Sequence, residues 1–97
     1  MAKGYWIGRV DVDDVDRYMD YVAANAVPFA EYGARFLVRG GTFDAVEGQS
    51  RSRNVVIEFP SYQAARDCYD SAAYQAAKAI RDEVAICDLI IIEGYDG

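Results

Sequence analysis

Asp88-Leu89-Ile90-Ile91-Ile92-Glu93 and Asn54-Val55-Val56-Ile57-Glu58-Phe59 are the stretches whose reading decides the fold. Their β-branched and aromatic residues mark both as strands. In each, apolar residues occupy consecutive positions, not every second one. Side chains of a strand point alternately to the two faces of its sheet, so strands of this kind make a sheet that is apolar on both sides.

Working outward, Tyr5 to Val12 reads as a first strand, and Asp13 or Asp14 as the N-cap of a helix with Asp16 in its first turn. That helix is expected from Val15 to Tyr32, with Val15, Met19, Val22, Ala26 and Phe29 as its core stripe, a bend or loosening before Pro28, and a stop at Gly33. Arg35 to Arg39 is a second strand. Gly40-Gly41 marks a bulge or a close approach, and Phe43 to Glu47 is expected to continue the strand up to a turn at Glu47-Gly48-Gln49-Ser50. After the strand Asn54–Phe59, Pro60-Ser61 ends it and caps a helical region running from Tyr62 to about Val84. A break near Asp70-Ser71 is expected, with Ser71 as a second N-cap and Ala73, Ala76, Ala77 and Ile80 as the small-residue stripe beyond it. The last strand spans Asp88 to Glu93, and residues 94–97 form a tail.

The order βαββαβ is that of a ferredoxin-like α+β domain, one antiparallel sheet with helices on one face. Helices on one side leave the other apolar face open, which a soluble monomer rarely tolerates. Face-to-face pairing of two sheets in a homodimer is the simplest way to cover it.

A chain of 97 residues makes one small domain, and 53% apolar with 27% charged residues is an ordinary globular balance. The formal net charge of −6 argues against nucleic acid as a partner. Arg51 and Arg53 sit in a turn-like stretch and are expected in solvent. Cys68 and Cys87 match no zinc or redox spacing and read as free thiols of a reducing compartment. The first residues lack a signal-peptide core, and no apolar run approaches the roughly 20 residues of a membrane span. The expectation is a soluble cytoplasmic protein.

Few residues offer chemistry, since the chain has no histidine. Arg39 ends an apolar strand and cannot deprotonate, so if buried it needs carboxylates, carbonyls or a bound anion around it. Glu58 lies on the hairpin-neighbour strand. The two either meet as a desolvated pair lining a pocket or lie at strand ends in water, and strand register decides between these. Arg9 reads as a rim residue. Tyr21, Asn25, Pro28 and Tyr32 form a second stripe on the first helix, at 0, 4, 7 and 11, suited either to a cleft wall or to the core margin. Tyr69 and Tyr74 flank the helix break and, with Tyr18 and Tyr62, make the chain rich in tyrosine. A phenol serves as an acid below its usual pKa of about 10 only beside a cation, and Arg39 could be one. Asp11, Asp13, Asp14 and Asp16 lack the spacing of a calcium loop and are explained by capping. No residue set supports a metal or cofactor.

Gly4-Tyr5-Trp6-Ile7, Tyr32 through Gly41 with its Arg39-Gly40-Gly41, Glu58-Phe59-Pro60-Ser61 and Tyr74-Gln75-Ala76-Ala77 together resemble the domain-of-unknown-function 1330 family. The resemblance implies the dimeric α+β barrel superfamily and carries no assigned activity. Superfamily members include cofactor-independent monooxygenases, lactone isomerases and haem enzymes, and haem is a poor fit to a chain without histidine. The expected function is binding of a small anionic or carbonyl-containing molecule near Arg39. Glu58 would orient Arg39 or act as a base, Asn25 and Tyr74 would donate hydrogen bonds, and Tyr21, Trp6 and Tyr69 would line the site. A cofactor-independent oxygenase or isomerase is the enzymatic form of this expectation. The alternative is a non-catalytic dimeric structural or interaction module.

Overall fold

The computed structural model describes residues 2–96. The elements are β1 (Gly4–Val12), α1 (Val15–Glu31), β2 (Arg35–Arg39), β3 (Arg53–Phe59), α2 (Tyr62–Asp70), α3 (Ala72–Val84) and β4 (Ala85–Glu93). The strands form one antiparallel sheet in the order β2-β3-β1-β4. All three helices cover one face, giving the α+β, ferredoxin-like architecture.

Local chemistry sets the helix boundaries. The Asp14 carboxylate accepts from Arg17 N at 3.1 Å, and Ser61 Oγ accepts from Ala64 N at 3.0 Å. Ser71 ends α2 and starts α3, its hydroxyl donating to Cys68 O at 2.7 Å and accepting from Tyr74 N at 3.2 Å. α1 closes in a Schellman motif, with Ala34 N donating to Phe29 O at 2.9 Å across Gly33, whose φ is +72°. Pro28 is fully buried inside α1, which continues to Glu31.

Several expectations are corrected. The chain from Gly40 to Ser52 is a loop without strand structure, so Phe43–Glu47 does not extend β2. The bulge sits inside β2 instead, where Phe36 pairs with Ile57 and Val38 with Val56, leaving Leu37 as the extra residue. The core face of α1 is made by Tyr18, Tyr21, Asn25, Pro28 and Phe29, while Val15, Met19 and Ala26 are exposed. On α3, likewise, Tyr74, Ala77, Arg81 and Val84 are buried, and Ala73 and Ala76 face out. β4 begins at Ala85, three residues earlier than its apolar run suggests.

The core is aromatic. Trp6, at 2% exposure, donates Nε1–H to Ala65 O at 3.0 Å and meets the rings of Phe29, Phe59, Tyr69 and Tyr74. Cys68 is fully buried beneath α1, and burial, with a smaller push from Glu31, raises its thiol to about 12. Burial also raises the Cys87 thiol. Because the thiolate is the reactive form, both cysteines are expected to resist iodoacetamide at about pH 8 in the folded protein and to react fully in urea. Mass spectrometry of the alkylated protein reads this, and rapid native labelling of Cys68 would contradict it.

Candidate ligand-binding site

Between α1 and the sheet lies a cleft whose floor is the inner face of β1, β3 and β4. Gly8 helps to make the gap: it stands between Trp6 and Val10 on that face and carries no side chain, and Leu89 Cδ1 lies beside the space, 3.5 Å from where a Cβ would stand. Walls come from Trp6, Phe29, Phe36, Ile57 and Leu89, with Asn25 and Tyr21 projecting from α1 and Tyr74 from α3. The enclosed part is about 40 Å³. At about 10–15 Å³ for each water, that is room for a few waters or one small polar group. A wider vestibule of about 340 Å³, lined by Val12, Val15, Met19 and Val22, adjoins it and shares Tyr18, Val22, Arg39 and Arg53 with it. Val15 and Met19 are exposed because they line this vestibule and not the core.

The charge pattern is one-sided. Arg39, Arg53 and Arg81 line the cavity, and no carboxylate does among the described residues. Arg39 arrives there through the β2 bulge. Simple alternation from Phe36 would turn Arg39 to the outer face, but the extra residue Leu37 places it opposite inward-facing Val55. Its guanidinium lies 4.2 Å from the centre of the Phe36 ring. Arg53 reaches over Tyr18 at 5.9 Å, and Gly40 makes room for it: at φ +72°, a Cβ there would come within 2.5 Å of the Arg53 guanidinium. The close approach marked by the glycine pair therefore belongs to Gly40.

At the inner end, Arg81 donates to the Tyr74 hydroxyl at 2.8 Å, and the Tyr74 and Tyr21 hydroxyls are 2.7 Å apart. Burial holds the Tyr74 phenol well above its ordinary value, reinforced by Tyr21 and only partly offset by Arg81. At neutral pH it is therefore a hydrogen-bonding hydroxyl, not a base.

The remaining expected residues separate from this group. Glu58 pairs across the ladder with Tyr5 and Arg35 on the opposite sheet face and accepts from Tyr5 Oη at 3.2 Å. Arg39 and Glu58 are neighbours in sequence topology but stand on opposite sides of the sheet, so they form no pair. Tyr69 packs on Trp6 and Tyr74 outside the cavity lining. Trp6 borders the cavity yet is chiefly a core residue. Arg51 bridges Asp11 and Asp88, each at 2.8 Å, away from the cleft. Sequence reasoning missed Arg81 and placed Arg53 in solvent. The available signal for Arg81 was its 7-residue spacing from Tyr74, two turns along one helix face. No cluster of His, Cys, Asp or Glu able to hold a metal occurs among the described residues. Nor is any described helix long and apolar enough to cross a membrane.

An antiparallel sheet covered on one side by helices, with a cleft beneath the first helix, defines a ferredoxin-like α+β protein. The chain belongs to the family described as Domain of unknown function (DUF1330), which its residues 3–95 match. Solved structures of the same fold include a protein of unknown function from Rhodopseudomonas palustris, with TM-score 0.79 and 14% identity over 99% of this chain and 85% of that one. The cofactor-independent oxygenase SnoaB from Streptomyces nogalater aligns at TM-score 0.66 and 10% identity, covering 100% of this chain and 97% of its own. A dimeric ferredoxin-like protein of unknown function from Thermobifida fusca aligns at TM-score 0.60 and 16% identity, over 95% and 89%. No curated protein matches the chain.

Proposed function

We propose that this protein binds a small anionic or carbonyl-bearing molecule in the cleft between α1 and the sheet, with Arg39 at its mouth. The observation that carries the reading is the gathering of Arg39, Arg53 and Arg81, with no carboxylate among the described residues, around an apolar cleft in a chain of net charge −6. Cations gathered in a lining without carboxylates favour an anionic guest, and apolar walls favour a carbon body on it.

In its enzymatic form the reading is a cofactor-independent oxygenase or isomerase. The cleft supplies donors for a developing oxyanion: guanidinium N–H groups and the Tyr74 and Tyr21 hydroxyls. Glu58 has no part in this chemistry, because the sheet separates it from the cleft. The likeness in fold to SnoaB is in keeping with such a reaction. The working unit is a homodimer joined through the outer sheet face, in keeping with the dimeric relative.

A thermal-shift screen against small carboxylic acids and polyketide-like phenols tests the binding. At least one acid is expected to raise the melting temperature, and Arg39→Ala to weaken that ligand several-fold, as loss of one exposed charged hydrogen bond implies. If Arg39→Ala weakens no hit, Arg39 is not part of the site.

A further inference from the structure

We infer that the cleft takes an apolar monocarboxylic acid head first, its carboxylate held at the inner end by Arg81, with Arg53 reaching it from the junction, and its carbon body lying in the vestibule. The inference rests on the anion-binding reading above and adds which end of the ligand goes where, and on which residues.

Arg81 is 6% exposed, and its Nε, like that of Arg53, is buried with no hydrogen-bond partner among the described residues. A guanidinium carries five N–H donors. At Arg81 one donor is used on Tyr74, the guanidinium also interacts with Tyr21, and the only carboxylate paired with it among the described residues, Asp82, is half-exposed and 3.6 Å away, beyond a normal hydrogen bond. Burying a charge so thinly partnered is costly, whereas a bound carboxylate would supply both the counter-charge and the acceptors. A favourable interaction with the C-terminal end of α3 suits the positive charge of Arg81. It does not account for the unpartnered Nε, nor for the second one on Arg53 in the same lining.

Volume then sets the orientation. The enclosed inner space of about 40 Å³ admits a carboxylate but not a substituted ring with it, while the adjoining vestibule of about 340 Å³ takes the remainder. The vestibule walls Val12, Val15, Met19 and Val22 are apolar, and Arg39 and Arg53 stand at the junction of the two spaces. Hence the ligand is amphiphilic, with one acidic group and an apolar body.

The probes are 4-phenylbutyrate and its uncharged counterpart 4-phenylbutan-1-ol, titrated by calorimetry into the wild-type protein and into Arg81→Met, Arg53→Met and Arg39→Ala. Arg81→Met keeps the length of the side chain and removes the charge. The acid is expected to bind wild type at least tenfold more tightly than the alcohol, and Arg81→Met to abolish that preference. In wild-type protein labelled with nitrogen-15, the Nε–H signal of Arg81 is expected to move as the acid is added, a readout independent of whether any variant folds. If the acid binds, Arg39→Ala weakens it, and neither Arg81→Met nor the Arg81 Nε–H signal responds, the head-first orientation is wrong while the anion site stands. If 4-phenylbutyrate fails to bind wild type at about 10 mM, this ligand class is wrong. The broader site then stands or falls with the acid and phenol screen.

Discussion

Trp6→Ala is expected to lower the free energy of unfolding by about 3–5 kcal/mol, the range for removing a buried large aromatic side chain. The side chain is only 2% exposed and stands at the centre of the aromatic cluster. Its ring centre lies 4.8 Å from that of Tyr74, 5.2 Å from Phe59 and 5.3 Å from Phe29. Truncation leaves a cavity among rings that cannot collapse into it, because each is tied to a different element. It also removes the hydrogen bond from the indole N–H to Ala65 O of α2. A domain of this size has roughly 5–15 kcal/mol in all, so a loss of this order takes a large share of its stability. The melting temperature should fall by well over 10 °C, at about 4–8 °C per kcal/mol. Urea unfolding followed by circular dichroism is the suitable measurement, since Trp6 is the sole tryptophan and its removal abolishes the usual fluorescence signal. A loss below about 1.5 kcal/mol would show that the cluster repacks around the gap.

The strands, caps and helix break were legible because each has a short-range cause. Asp14, Ser61, Ser71 and Gly33 act within a few residues of themselves, and the consecutive apolar runs of β3 and β4 needed only the alternation rule. The face of α1 was not legible in the same way. Counting Val15, Met19 and Ala26 as core and setting Tyr21 and Asn25 apart, at a cleft wall or the core margin, follows hydropathy, yet α1 buries Tyr18, Tyr21 and Asn25 and exposes Val15, Met19 and Ala26. Amphipathic side chains are buried here because they face a cleft with apolar walls and a few polar groups, and Val15 and Met19 are exposed because they line its vestibule. Arg39 depended on one extra residue at Leu37, a register detail that propensity does not encode. Arg81 was hidden for a related reason. A basic residue in the last turn of a helix is ordinarily read as complementing the dipole, and only the packing of α3 under α1 shows it to be buried beside Tyr21 and Tyr74.

Ile90→Asp is expected to convert a homodimer into a monomer while leaving the protomer folded. Cross-strand partners place Val38, Val56, Ile7 and Ile90 in one row running across β2, β3, β1 and β4 on the face that no helix covers. Tyr5 and Ile92 extend the apolar patch over β1 and β4, Glu58 and Arg35 continue that row with charge over β3 and β2, and Arg9 with Asp88 bounds the patch on the other side. Ile90 is 54% exposed in the protomer, so a carboxylate there reaches water and costs the isolated chain little. Across a twofold interface every substitution occurs twice, and two unpaired carboxylates pressed into an apolar contact would each lose solvation without a partner. Val27→Asp makes the same change in charge on the outer surface of α1, at a residue 67% exposed, and should leave the assembly intact. Sedimentation velocity at about 10 µM should therefore give twice the chain mass for wild type and Val27→Asp, and the single mass for Ile90→Asp. A monomeric wild type at that concentration, or a dimeric Ile90→Asp, would remove the outer sheet face as the interface. The outcome of that measurement also sets how the Trp6→Ala loss must be read. If the folded protomer is stabilised by association, unfolding depends on concentration, and the two proteins must be compared at one protomer concentration.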